Sequence, residues 1–70
     1  MQILVFKTNL TSAEHVNHVQ PHLNLHPAIH KWNVDLEDCD KILRIESAFM
    51  NAAEVEQLIV KAGYYCEELQ

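Results

Sequence analysis

The sequence has one glycine, two prolines and two cysteines in 70 residues, and only 7% of it is aromatic. A single glycine excludes the Gly-rich loops that cradle phosphates and the flexible linkers that join domains. Two cysteines, Cys39 and Cys66, do not make a disulfide framework, and a reducing, cytoplasmic setting is the simplest reading. No apolar run approaches the ~20 residues of a membrane-spanning helix. The apolar opening Met1-Gln2-Ile3-Leu4-Val5-Phe6 is cut by Lys7 and has no small-residue cleavage site, so it reads as strand rather than leader. Cationic side chains are also scarce: five Lys and Arg against ten Asp and Glu, a net charge of −5. That balance argues against nucleic acid and anionic membranes as partners. It suits a basic partner, and equally it is an ordinary route to solubility.

What is present is a core. The chain is 49% hydrophobic and 21% charged, which predicts one folded domain spanning residues 1–70, near the lower size limit for a core without staples. Gln2 to Thr8 reads as a strand, with Ile3 and Val5 on one face and Leu4 and Phe6 on the other. Thr11 and Glu14 have the spacing of a capping box that opens a helix. Val16, Val19 and Leu23 follow as its apolar stripe. Pro21 falls inside that stripe and is expected to kink or end the helix. Trp32, Val34 and Leu36 alternate with polar residues as a half-buried strand. After a turn at Glu37-Asp38-Cys39-Asp40, Lys41 to Glu46 returns as its antiparallel neighbour. Asn51 caps a second helix, with Glu54 three residues on. Val55, Leu58, Ile59 and Ala62 form its buried face, and Gly63 closes it. Tyr64 to Leu69 makes a last strand.

The order strand, helix, strand, strand, helix, strand nearly dictates the topology. Right-handed crossovers give an α+β fold, a ferredoxin-like βαββαβ sandwich with a four-stranded antiparallel sheet and two helices on one face. The first and third strands are central. The Asn9–Ser12 loop, the Glu37–Asp40 turn and the Gly63–Tyr64 junction then fall at one end of the molecule.

This arrangement resembles the heavy-metal-associated (HMA) domain of copper chaperones and metal-pumping ATPases. The resemblance rests on the junction from Asn9 to Val16, on Trp32-Asn33-Val34-Asp35-Leu36, and on Lys61-Ala62-Gly63-Tyr64. The family's loop carries Met-x-Cys-x-x-Cys. Here Leu10 stands at the Met position, Ser12 at the first Cys and His15 at the second. The resemblance implies the fold; the missing pair puts the copper chemistry in doubt. Paired thiolates suit Cu(I), and a helix N-terminus stabilises them. A serine hydroxyl is no thiolate equivalent, and His15 is a single ligand. The Cu(I) site of the family is therefore expected to be lost.

Other side chains offer metal chemistry of their own. His15, His18 and His22 fall at i, i+3 and i+7, within roughly 60° of one another on a helix of ~100° per residue. That stripe flanks the apolar one. His18 and His22 at i, i+4 have the spacing to chelate Zn(II), Ni(II) or Cu(II), although Pro21 lies between them and no carboxylate on that face orients them. The plainer reading is a polar helix flank. Cys39 on the acidic turn invites a composite site with His15 and Asp38. Acidic neighbours disfavour its thiolate, and a solvated turn is the plainer account. The turn lacks the glycine and terminal glutamate of an EF-hand loop. Cys66 reads as a small core residue.

No enzyme signature is present, and no catalytic residue or resident cofactor is expected. Trp32 reads as a core lid. The sheet face away from the helices stays open, and some of Leu4, Phe6, Trp32 or Tyr65 are candidates to lie on it. An apolar patch there would mark a protein partner or self-association. Two functions remain: an interaction module on an HMA-like scaffold, or a metal carrier or sensor using the helix-one histidines.

Overall fold

The computed structural model describes residues 2–69. Their order is β1 (Gln2–Thr8), α1 (Ala13–Asn24), β2 (Ile29–Asp35), β3 (Ile42–Ser47), α2 (Ala52–Lys61) and β4 (Cys66–Glu68). The strands form one antiparallel sheet in the order β2-β3-β1-β4. This is the ferredoxin-like arrangement, with β1 and β3 in the centre. The register places Leu4 opposite Ile45 and Phe6 opposite Leu43. All four side chains are buried, and directly opposed residues share a face. α1 packs over β2 and α2 over β4, and the two helices touch.

The core lies between this sheet face and the helices. Phe6, Leu43 and Ile45 meet Val19 and Leu23 of α1 and Val55 and Ile59 of α2, each with no exposed surface. Each such side chain contributes about 1.5–3 kcal/mol relative to exposure. Leu10 is equally buried, so this loop residue is a core plug. Cys66 joins the core from β4. Trp32 is half-buried against it, and its indole N–H donates to Asn24 Oδ1 at 2.8 Å.

Four expectations change. Pro21 does not end α1, which runs on to Asn24. Pro21 and Asn17 are both exposed, so water can take the carbonyl that proline leaves without a donor, while Val19 and Leu23 anchor the helix on its other side. β2 begins earlier, at Ile29, with an irregularity between Ile29 and Lys31. β4 is shorter than Tyr64 to Leu69, covering only Cys66–Glu68. Leu4, Phe6 and Trp32 lie on the helix side of the sheet. Of the four candidates for the open face, Tyr65 alone is on that side, its hydroxyl donating to Glu67, the neighbour of Lys7 there. The open face carries Ile3 and Val5 beside Leu69, whose N–H donates to Val5 O. Around them lie cross-strand neighbours of opposite charge, Lys7 with Glu67 and Lys31 with Glu46.

The helix caps follow simple chemistry. Asn51 Oδ1 accepts the N–H of Glu54 at 2.9 Å. Gly63 has φ +94, and a Cβ there would meet nothing within 4 Å. Glycine is required for the left-handed backbone rather than for space. No helix among the described residues is long and apolar enough to cross a membrane.

Candidate functional site at the loop end

Three chain segments are tied together at one end of the sheet. The Thr8 N–H donates to Asp40 O at 3.1 Å, and the Thr8 hydroxyl donates to Lys41 O at 2.5 Å. The same hydroxyl oxygen accepts the N–H of Leu10 at 3.2 Å. On the other side Asn9 Oδ1 accepts the N–H of Tyr65 at 2.8 Å. The loop between β1 and α1 is thus clamped to both the β2–β3 hairpin and the segment before β4. The hairpin closes at Lys41, with φ 48, where its ammonium donates to Leu36 O at 2.7 Å.

The start of α1 differs by one residue from the sequence expectation. The N-cap is Ser12, not Thr11, in extended backbone at φ −148 and ψ 165. Ser12 Oγ accepts the N–H of His15 at 3.3 Å. His15 then reaches back: its Nδ1 accepts the N–H of Thr11 at 3.1 Å, with the Thr11 hydroxyl also at 3.1 Å. His15 performs the reciprocal half of a capping box, one residue earlier than the usual glutamate would. Thr11 is drawn into that bond and is not free to cap. The signal was present as Ser12-x-x-His15, a capping spacing with imidazole as acceptor.

This geometry fixes the chemistry of His15. A backbone N–H can only donate, so Nδ1 holds its lone pair toward Thr11. The neutral ring then carries its proton on Nε2, and neither nitrogen offers a free lone pair. A metal bound at His15 must first displace the Thr11 N–H. Ser12 is likewise committed to the helix cap. The two residues do not fit a soft Cu(I) ion: they supply no sulfur, and both are engaged with the helix's own backbone donors.

His18 lies beside His15, with ring centroids 6.5 Å apart. Its Nδ1 is 2.6 Å from the Tyr64 hydroxyl. The Tyr64 ring also packs on His15 at 5.0 Å and on His18 at 6.1 Å. Sequence reasoning placed Tyr64 at this end of the fold but did not pair it with the histidines. It is delivered by the glycine that ends α2, a signal readable as Gly63-Tyr64. His22 sits half-buried in the last turn of α1. Among the described residues, one group of His, Cys, Asp and Glu side chains brings three ligand atoms within 4.8 Å of one another: Asp38, Cys39 and Asp40. His15, His18 and His22 do not form such a group, nor do His15, Cys39 and Asp38. Asp38 Oδ1 already accepts the N–H of Asp40 at 2.8 Å.

Both cysteines are free, Cys39 exposed and Cys66 buried. Burial pushes the Cys66 thiol up to about 12, with Glu56 adding to the effect. Tyr65 is raised by its hydrogen bond to Glu67 and then by desolvation.

Comparison with known proteins gives the fold an independent context. No family model matches the sequence, and no curated protein does. Solved structures match over the whole chain. The yeast copper transporter domain Ccc2a, described in apo and Cu(I)-loaded states, superposes with a TM-score of 0.85 at 15% identity, covering 100% of this chain and 97% of that one. A copper-binding domain of the P-type ATPase HMA7 gives 0.85 at 19% identity, with 100% and 96% coverage. The Atx1–Cu(I)–Ccc2a complex gives 0.83 at 15% identity, with 100% and 97% coverage. The likeness is one of fold: the chain has the HMA architecture, and no Cys-x-x-Cys occurs in it.

Proposed function

We propose that this chain is a non-enzymatic interaction domain on the HMA scaffold in which a helix cap replaces the Cu(I) pair. One observation carries the proposal: the side chains at both family cysteine positions satisfy backbone donors at the start of α1. A serine hydroxyl stays protonated where a cysteine would ionise, so the helix N-terminus stabilises no anionic ligand there. What the scaffold retains is a loop end tied by hydrogen bonds to its neighbouring segments and an open sheet face. Structural neighbours support a protein partner, since a domain of this fold is seen in the Atx1–Cu(I)–Ccc2a complex. The apolar strip of Ile3, Val5 and Leu69, with Tyr65 beyond Lys7, supports the open face as the surface used. Free cysteines suit a reducing, cytoplasmic setting.

A second reading is a carrier of Zn(II), Ni(II) or Cu(II) through the histidines of α1. Its support is the packing of His15 and His18 side by side against Tyr64. A ring whose Nδ1–H donates to the Tyr64 oxygen presents a free Nε2, as metal-ligating histidines do. Proton–nitrogen NMR with added Zn(II) and, separately, Cu(I) distinguishes the two. No shifts at stoichiometric metal support the interaction domain. Saturable shifts confined to Thr11–His22 favour the carrier.

A further inference from the structure

The sheet has two edges, and they are unequal. β4 offers only Cys66–Glu68, whereas β2 offers Ile29–Asp35 and has β3 as its one sheet neighbour among the described residues. A strand with one neighbour leaves half its backbone donors and acceptors without a ladder partner. The irregularity between Ile29 and Lys31 spoils the start of this edge, leaving Lys31 to Asp35 as its regular part.

That stretch is complementary to itself. Trp32 and Val34 pair with the buried Ile45 and Leu43, so they lie on the helix side. Both are only half-buried at this edge. Lys31, Asn33 and Asp35 lie on the open face. An antiparallel copy centred on Asn33 uses the whole regular stretch. It sets Lys31 opposite the partner's Asp35, and Trp32 opposite the partner's Val34, each twice by symmetry. Centring on Trp32 instead leaves Lys31 facing the partner's Asn33 and Ile29 facing the partner's Asp35. Centring on Lys31 puts like charges together.

We infer that β2 pairs edge to edge with β2 of a second copy of this chain, in the register centred on Asn33, giving a two-fold dimer with a continuous eight-stranded sheet. The interface is distinct from the loop end, it borders the open face through Lys31, Asn33 and Asp35, and it does not depend on the state of His15. A lysine on an edge strand ordinarily discourages pairing; in this register it meets an acid. The contact is small, so the dimer exchanges rapidly with monomer.

The test combines dilution with charge exchange on the whole chain. Sedimentation equilibrium from about 10 µM to about 1 mM, the range in which small interfaces associate, is expected to show mass rising toward two copies. Amide shifts on dilution are expected to centre on Lys31–Asp35. Lys31→Asp alone and Asp35→Lys alone each set like charges opposite and are expected to weaken association by at least about tenfold. The two exchanges together restore opposite charges and are expected to return association to near its starting value. Circular dichroism checks that each variant is folded, and the dilution experiment on the unmodified chain stands without any variant. Monomeric mass throughout, shifts centred elsewhere, or a dimer indifferent to the single exchanges would overturn the inference. So would failure of the double exchange to restore association.

Discussion

Ser12 Oγ accepts the backbone N–H of His15 at 3.3 Å, so the N-cap of α1 and the residue three places on are bonded to each other. The chain satisfies donors at the start of α1 with its own side chains. Ser12→Ala removes that acceptor and is expected to cost about 1 kcal/mol, read as a lower urea midpoint at unchanged slope. Ser12→Asp keeps an acceptor and adds a favourable charge at the helix start, so it is expected to hold stability near the parent. Equal losses in both variants would show that the cap contributes nothing.

His18 and Tyr64 meet at 2.6 Å on an exposed surface. Tyr64→Phe keeps the ring that packs on His15 and removes only the hydroxyl. The expected loss is about 0.5–1.5 kcal/mol, with nitrogen chemical shifts of His18 reporting a changed tautomer balance. Unmoved His18 resonances would contradict the contact.

Leu10 has no exposed surface, although it lies in the loop between β1 and α1. Leu10→Ala is expected to cost about 2–5 kcal/mol, a large part of the stability of a domain this small. A cost within that of a surface change would remove Leu10 from the core.

The two cysteines are expected to differ sharply in reactivity. Cys39 is exposed, while Cys66 is buried with its thiol raised to about 12. Alkylation of the native chain followed by mass spectrometry is expected to label Cys39 first. The sign of the pH effect follows from the same shift. The folded chain holds the Cys66 proton more tightly than the unfolded chain, whose thiol ionises near 9.0. The stability this contributes is complete below pH 9.0 and is lost as pH rises toward about 12. Cys66→Ala is expected to flatten that alkaline decline.

Most of the architecture was legible in the sequence because periodicity and capping speak locally. The alternation of β1, the Asn51 cap and the closing Gly63 appear where the residues place them. The helix start was legible only to within a residue. Thr11 and Ser12 are both capping types, and the choice depends on where the His15 ring turns. Pro21 misled because its effect depends on which side of the helix it faces. The open face misled in another way: a strand apolar on both sides, as β1 is, does not say which side the helices cover. The Gly63–Tyr64 junction was placed at the right end of the fold by the closing glycine, but the contact of Tyr64 with His18, 46 residues distant in sequence, was not legible from either segment alone.

The central claim is that the loop end carries a helix cap in place of a Cu(I) site. The direct measurement is a competition titration of the unmodified chain against a Cu(I) chelator, run beside the double variant Ser12→Cys, His15→Cys. The account predicts that the unmodified chain takes no Cu(I) from the chelator, while the double variant, with two thiols at the helix N-terminus, takes one equivalent. Tight one-to-one binding by the unmodified chain, lost on His15→Ala, would contradict it.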